Sequence, residues 1–190
     1  QRRGGRNLYA VDATDRSNPK MLWQIQGGVT SGFEKLAQTW SQPALARILI
    51  DGQPRMVLVF GGGYSAADHD TAGTISSGDD LGNAVYIVDA KTGTLIHTFD
   101  KDDNADMKWT IAAPVGVADV QLDGIADLIY VADMGGQIFR IDLNRTLVDG
   151  SVEDSLEDTR IVTLAQLGVS DPSHTTIRDH RRFYVQPEIA

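Results

Sequence analysis

Short runs in which apolar residues alternate with polar ones recur along most of this chain, punctuated by Gly and Asp. A period of two with Val and Ile enrichment predicts strands. The runs cover residues 7–13, 21–26, 55–60, 83–90, 94–99, 128–132, 137–143 and 160–165. Three of them carry an aromatic, two residues and an Asp: Tyr9 to Asp12, Tyr86 to Asp89 and Phe139 to Asp142. A second signature is a Pro leading into an apolar alternation, at Pro43, Pro114 and Pro187, with spacings of 71 and 73 residues. Within a period the order is constant: a Pro-led strand, a Val/Ile-rich strand, the aromatic-x-x-Asp strand, then a fourth. For the unit begun by Pro114 the fourth is 160–165, and the last residues, 184–190, read as part of another strand.

Serial four-stranded units are blades of a β-propeller. The fold expected is therefore all-β, a partial propeller of two to three blades within a single domain over 1–190. The period exceeds the usual ~40–50 residues per blade, which predicts insertions at 61–82, 100–108 and 144–159, the last briefly helical around 154–157. A propeller typically closes with about four to eight blades, so the chain reads as a piece of a longer protein. A β-sandwich with coincidental Pro spacing is the competing fold.

Composition narrows the function. The 190 residues are 42% hydrophobic and 23% charged, a folding composition. Lys+Arg 17 against Asp+Glu 26 gives a net charge of −9, which argues against a nucleic-acid partner. Of the acids, 22 are Asp and 4 are Glu, and Asp favours turns and cation loops over helices. Cys is absent, which excludes disulfides and thiolate chemistry. No apolar run approaches the ~20 residues that span a bilayer as a helix.

One segment carries specific chemistry. Asp119-Val120-Gln121-Leu122-Asp123-Gly124-Ile125-Ala126-Asp127 places oxygen donors at positions 1, 3, 5 and 9, Gly at 6 and a backbone carbonyl at 7. The first seven positions follow the logic of an EF-hand loop, shortened to end on Asp127. The expected ligands of a Ca²⁺ ion are Asp119, Gln121, Asp123, the Ile125 carbonyl and Asp127, with Val120, Leu122 and Ala126 free to face the core. The plain alternative is an Asp-Gly hairpin turn whose acids are only solvated.

Other polar groups carry less. The acidic run 100–106 reads as a solvated hairpin tip. Asp68-His69-Asp70 reads as a polar loop tip, His97 lies on a strand, and His174 and His180 lie in a loop. No Ser, His and acid come together, so no triad is expected. Gly61-Gly62-Gly63 leads into Tyr64-Ser65-Ala66 and not into a Lys-bearing helix, so it is not a phosphate loop. Trp23, Trp40 and Trp109 are assigned to blade cores. No enzyme activity is expected.

Several segments resemble the C-terminal propeller of PilY-type proteins, the type IV pilus biogenesis factors and tip-associated adhesins. They are residues 4–14, 40–46, 59–64, 86–93 and, most specifically, 114–142. The resemblance implies a modified, quinoprotein-like β-propeller with calcium in the 119–127 loop. It also implies export to the periplasm or cell surface of a Gram-negative bacterium, and partners among pilins or minor pilins and a host or surface ligand. Roles in pilus extension and retraction, twitching motility and adhesion follow from the same likeness. The family usually has Asn or Asp where this chain has Gln121. The rival resemblance is to pyrroloquinoline-quinone dehydrogenase propellers, whose repeats also fit residues 85–93. A third reading is a propeller scaffold whose calcium is purely structural.

Overall fold

The computed structural model describes residues 4–70, 77–147, 149–169, 176 and 180–189. Twelve strands lie in these residues, together with one four-residue helix and a short 3-10 turn at Leu156–Asp158. The central sheet is a plain antiparallel meander of β3 (Ala44–Ile50), β4 (Gln53–Gly61), β5 (Val85–Asp89) and β6 (Leu95–Phe99), in that order. The next sheet repeats it with β7 (Gly116–Ala118), β8 (Leu128–Ala132), β9 (Gln137–Asp142) and β12 (Arg160–Gln166). Between β9 and β12 a separate two-stranded hairpin is inserted, β10 (Arg145–Thr146) with β11 (Val152–Glu153). Ahead of the central sheet, β1 (Asn7–Asp12) pairs with β2 (Lys20–Gln26) as a third, two-stranded unit. Sequential four-strand meanders are blades, not the crossing connections of a sandwich.

The repeat extends to fine geometry. A register shift falls between the aromatic-x-x-Asp strand and its following partner in all three units: at Ala10/Val11, at Ile87/Val88 and at Thr163/Ala165. A bulge there adds twist to the outermost pair of each sheet. The Asp that ends the strand then organises the turn in two of the units. Asp12 accepts the Thr14 N–H, and Asp89 accepts the N–H groups of Lys91 and Thr92.

The core lies between the blades. One face of the central sheet (Ile48, Val57, Val59, Ile87) packs against Ile129, Val131, Phe139 and Ile141 of the next, in a single buried cluster. Its other face (Phe60, Tyr86, Val88) packs on Ile25, Phe33 and Leu36. With both faces covered, β5 is apolar almost throughout, which explains its weak alternation.

Two tryptophans fasten blade to blade by covering glycines. A Cβ added at Gly93, in the β5–β6 turn, would lie 2.6 Å from the Trp23 ring, and the Trp23 Nε1–H donates to the Ala90 carbonyl at 3.2 Å. Trp109 lies in the same way over Gly135. Residues 184–189 form no strand, contrary to the sequence pattern. The two Pro-led strands that do form, β3 and β7, each pair with the strand that follows, β4 and β8. Among the described residues of the insertion at 61–82, helix α1 at Ala66–His69 replaces the polar loop tip expected there.

Gly135→Ala should cost about 2 kcal/mol or more, because the new methyl meets a fixed indole. Gly150→Ala, which has open space around it but φ of +84°, should cost about 1 kcal/mol. Urea unfolding of both variants checks the order, and equal costs would show that the Trp109 contact contributes little.

Candidate functional site

The segment 119–127 is the loop joining β7 to β8, closed by the Ala118–Leu128 pair. Two left-handed residues, Leu122 at φ 60° and Gly124 at φ 85°, wrap it. The carboxylates turn inward onto the loop's own backbone. Asp119 accepts the Gly124 N–H at 2.8 Å and the Asp123 N–H at 3.3 Å. Asp123 accepts the Ile125 N–H at 2.8 Å. Asp127, only 5% exposed, accepts the N–H groups of Val120 (2.8 Å) and Gln121 (3.3 Å). The Gln121 carboxamide donates to the other Asp127 oxygen at 3.3 Å, so it supports an acid with its nitrogen side.

Ala126 is buried as expected, but Val120 and Leu122 are 63% and 88% exposed. The sequence assignment of these two to the core is corrected. Residues 120–124 are all exposed and burial resumes only at Ala126 and Asp127, because the sheet below ends at Ala118 and Leu128.

Backbone bonds fix the loop to its surroundings. The Ala126 N–H donates to the Arg47 carbonyl of β3 in the neighbouring blade at 2.7 Å, and the Leu143 N–H donates to the Asp127 carbonyl at 2.8 Å. All side-chain donors available are oxygens or an amide, a set suited to a hard cation and to no soft metal. As they stand, no three His, Asp or Glu side chains among the described residues form a ready-made metal cluster.

A second polar site was missed in the sequence. His69, read as part of a loop tip, is buried: its Nε2 lies 2.7 Å from Asp79 Oδ2, with side chains 1% and 0% exposed. Asp79 also accepts the Thr110 N–H at 2.7 Å, and Arg182 donates to the His69 carbonyl at 3.1 Å. Burial pushes the Asp79 carboxyl up, but the bonds from His69 and Thr110 outweigh it and hold the group below its usual range. The signal available was weak, since His and Asp ten residues apart across a Gly/Ser-rich stretch show no helical or strand spacing. His97 lies on β6 as expected, and His180 is described without regular structure; His174 lies outside the described residues.

Asp133, fully buried in the β8–β9 turn, accepts N–H groups from Gly135 and Gln137 and the Gln137 carboxamide. Burial, helped by the nearby charge of Asp79, outweighs these bonds and pushes its carboxyl up to about 7. The acidic run 100–106 is exposed only at its tip. Asp100 pairs with Lys35 at 2.8 Å, and Asp106 accepts the Thr163 hydroxyl of β12 at 2.9 Å.

Fold and loop together define the class: a stretch of β-propeller blades bearing an oxygen-rich loop at a blade interface. The model of the PilY1 beta-propeller domain matches residues 1–170, and the chain belongs to that family. It is similar to the type IV pilus biogenesis factor PilY1 of Pseudomonas aeruginosa strain UCBPP-PA14, 35% identical over 140 residues, 74% of this chain and 10% of the relative. The PilY1 of strain PAO1 is 30% identical over 142 residues, 75% of this chain and 11% of the relative. A PilY1 homolog of Xylella fastidiosa is 26% identical over 153 residues, 74% of this chain and 9% of the relative. The chain thus spans about a tenth of these relatives' length. The crystal structure of the P. aeruginosa PilY1 C-terminal domain superposes with a TM-score of 0.55 at 26% identity, covering 77% of this chain and 26% of that one. No helix among the described residues is long and apolar enough to cross a membrane.

The Asp133 carboxyl yields a pH prediction. Its folded pKa, about 7, lies above the ordinary 3.8, so the protonated form is favoured by the fold. Its contribution is full below pH ~3.8 and is lost as pH rises through about 7. Asp133→Asn should therefore melt at least about 3 °C higher than wild type at pH 8, with the gap closing toward pH 5. Parallel melting curves across that range would show that Asp133 is ionised in the fold throughout.

Proposed function

We propose that this chain is a calcium-responsive propeller segment of a type IV pilus biogenesis protein, acting by binding and not by catalysis. The observation that carries the reading is an oxygen-rich loop, 119–127, tied by the Ala126–Arg47 bond across a blade interface of a PilY1-family propeller. Asp119, Asp123, Asp127 and the Ile125 carbonyl would hold the ion, with Gln121 contributing through its amide oxygen after rotation or through water. A bound divalent cation supplies the positive charge that three carboxylates within nine residues lack. The chain's own residues do the rest. Gly124 and Leu122 set the turn, Asp127 fixes the base of the loop, and Ala126 and Leu143 transmit any change in loop structure to β3 and β9.

By its family likeness the parent protein works in the periplasm or at the cell surface, with pilins or minor pilins as partners. Control of pilus extension and retraction, twitching motility and surface adhesion belongs to this reading. A switch of this kind shifts an equilibrium only by the difference in ion affinity between its two states.

Asp123 is the cleanest test because it is exposed and accepts only one local N–H group. Asp123→Ala should weaken calcium binding at least about tenfold in calorimetry, while stability without calcium changes by no more than about 0.5 kcal/mol. Equal binding heats for both proteins would reduce the loop to a hairpin. Normal twitching in cells carrying Asp123→Ala, with calcium loss proven, would leave the ion a structural staple.

A further inference from the structure

Two of the three segments leading into the Pro-led positions share a motif that the cation loop does not use. Trp40-Ser41-Gln42-Pro43 and Tyr184-Val185-Gln186-Pro187 each place an aromatic three residues, and a carboxamide one residue, ahead of the proline. The intervening repeat has Ile111-Ala112-Ala113-Pro114 in the same places. The fold gathers all three into one cleft of about 400 Å³, with Trp40 and Gln42 from the first, Ala112 and Pro114 from the second, and Tyr184 and Gln186 from the third.

The cleft is built on packed supports. Trp40 stacks on Tyr64 at 4.5 Å between ring centroids, and Tyr64 is itself 4% exposed. The Tyr184 ring lies 6.4 Å from Trp40 at 41°, so the two rings adjoin as a tilted aromatic pair. The third segment is seated against the sheet: the Phe183 N–H donates to the Asp133 carbonyl at 3.2 Å, and a Cβ at Gly116 would meet Ile189 at 3.0 Å. Small side chains in the middle repeat leave the space open. Gln42 and Gln186 are exposed, each with a carbonyl and two N–H donors to offer.

Among the described residues no charged side chain lines this cleft, in a chain of net charge −9. An anionic ligand would find no cation here and a repulsive field around it. A wholly apolar ligand would cover two carboxamides without replacing their bonds to water. A neutral ring with one apolar face and a rim of hydroxyls satisfies both parts of the lining. We propose that this cleft binds a neutral saccharide, its C–H face against the Tyr184 ring beside Trp40 and its hydroxyls bonded to Gln42 and Gln186. The assignment does not depend on the cation loop.

Saturation-transfer NMR on the full-length protein carrying this chain tests it. The probes are methyl β-glucopyranoside, methyl β-galactopyranoside, methyl α-mannopyranoside and N-acetylglucosamine, with glucose 6-phosphate and a hexaproline peptide alongside. Saturation should reach the ring protons of at least one neutral sugar and be weaker for the phosphate. Tyr184→Ala should weaken that sugar about tenfold, Tyr184→Phe should retain it, and Gln186→Ala should weaken it several-fold. Tyr184 is 44% exposed, so its circular-dichroism spectrum should not change on substitution; should that variant misfold, Gln186→Ala alone decides. The proposal is overturned if none of the four sugars receives saturation, or if the signal survives both Tyr184→Ala and Gln186→Ala. It is equally overturned if only hexaproline is saturated, which would assign the cleft to a proline-rich segment.

Discussion

Face-to-face burial of one blade on the next is the constraint on which the rest depends. Ile48, Val57, Val59, Val85 and Ile87 of the central sheet meet Ile129, Val131, Phe139 and Ile141 of its neighbour, and every one of these is fully buried. A sheet covered on both faces has no freedom of register, because a one-residue slip would reverse its buried sets. The ends of β7 and β8 are therefore fixed, and with them the span that the 119–127 loop has to cross. The Ala126–Arg47 bond joins that loop to the same interface from above. Loop and core are one mechanical unit.

Much of this was legible in the sequence because repetition amplifies weak signals. Tyr9, Tyr86 and Phe139 mark the same strand in three units, and the strand at Arg160–Gln166 was assignable as a fourth strand from its order alone. The propeller was accordingly readable, and the family match bears it out. What escaped were features that depend on contacts distant in sequence. His69 is buried because Asp79, Thr110 and Arg182 close around it, and no local pattern announces that. Residues 184–189 alternate like a strand but form none in the structure, so the local pattern does not suffice there. Val120 and Leu122 were misplaced because the loop does not alternate: residues 120–124 are all exposed, and where the core begins is set by where the sheet stops.

The two polar regions divide the labour of the fold differently. Around His69, Asp79 and Asp133 the carboxyl groups are buried, and the bonds of Asp79 to His69 and Thr110 tie the insertion to the blade connector. In the 119–127 loop Asp123 is exposed while Asp127 is buried, so the base is rigid and the tip is open to solvent. An exposed Leu122 in the left-handed region is an unfavourable residue for stability alone. The tip is therefore the part of this interface whose backbone conformation is least favoured by its own residues.

Amide hydrogen exchange with and without calcium examines this most directly, because the N–H groups of Val120, Gln121, Gly124 and Ile125 are all donated to loop carboxylates. Saturating calcium is expected to slow exchange at these four positions and at Ala126, whose N–H bridges the blades, while the β4 and β5 amides stay unchanged. Identical exchange at all five in calcium and in chelator would contradict a cation role for the loop.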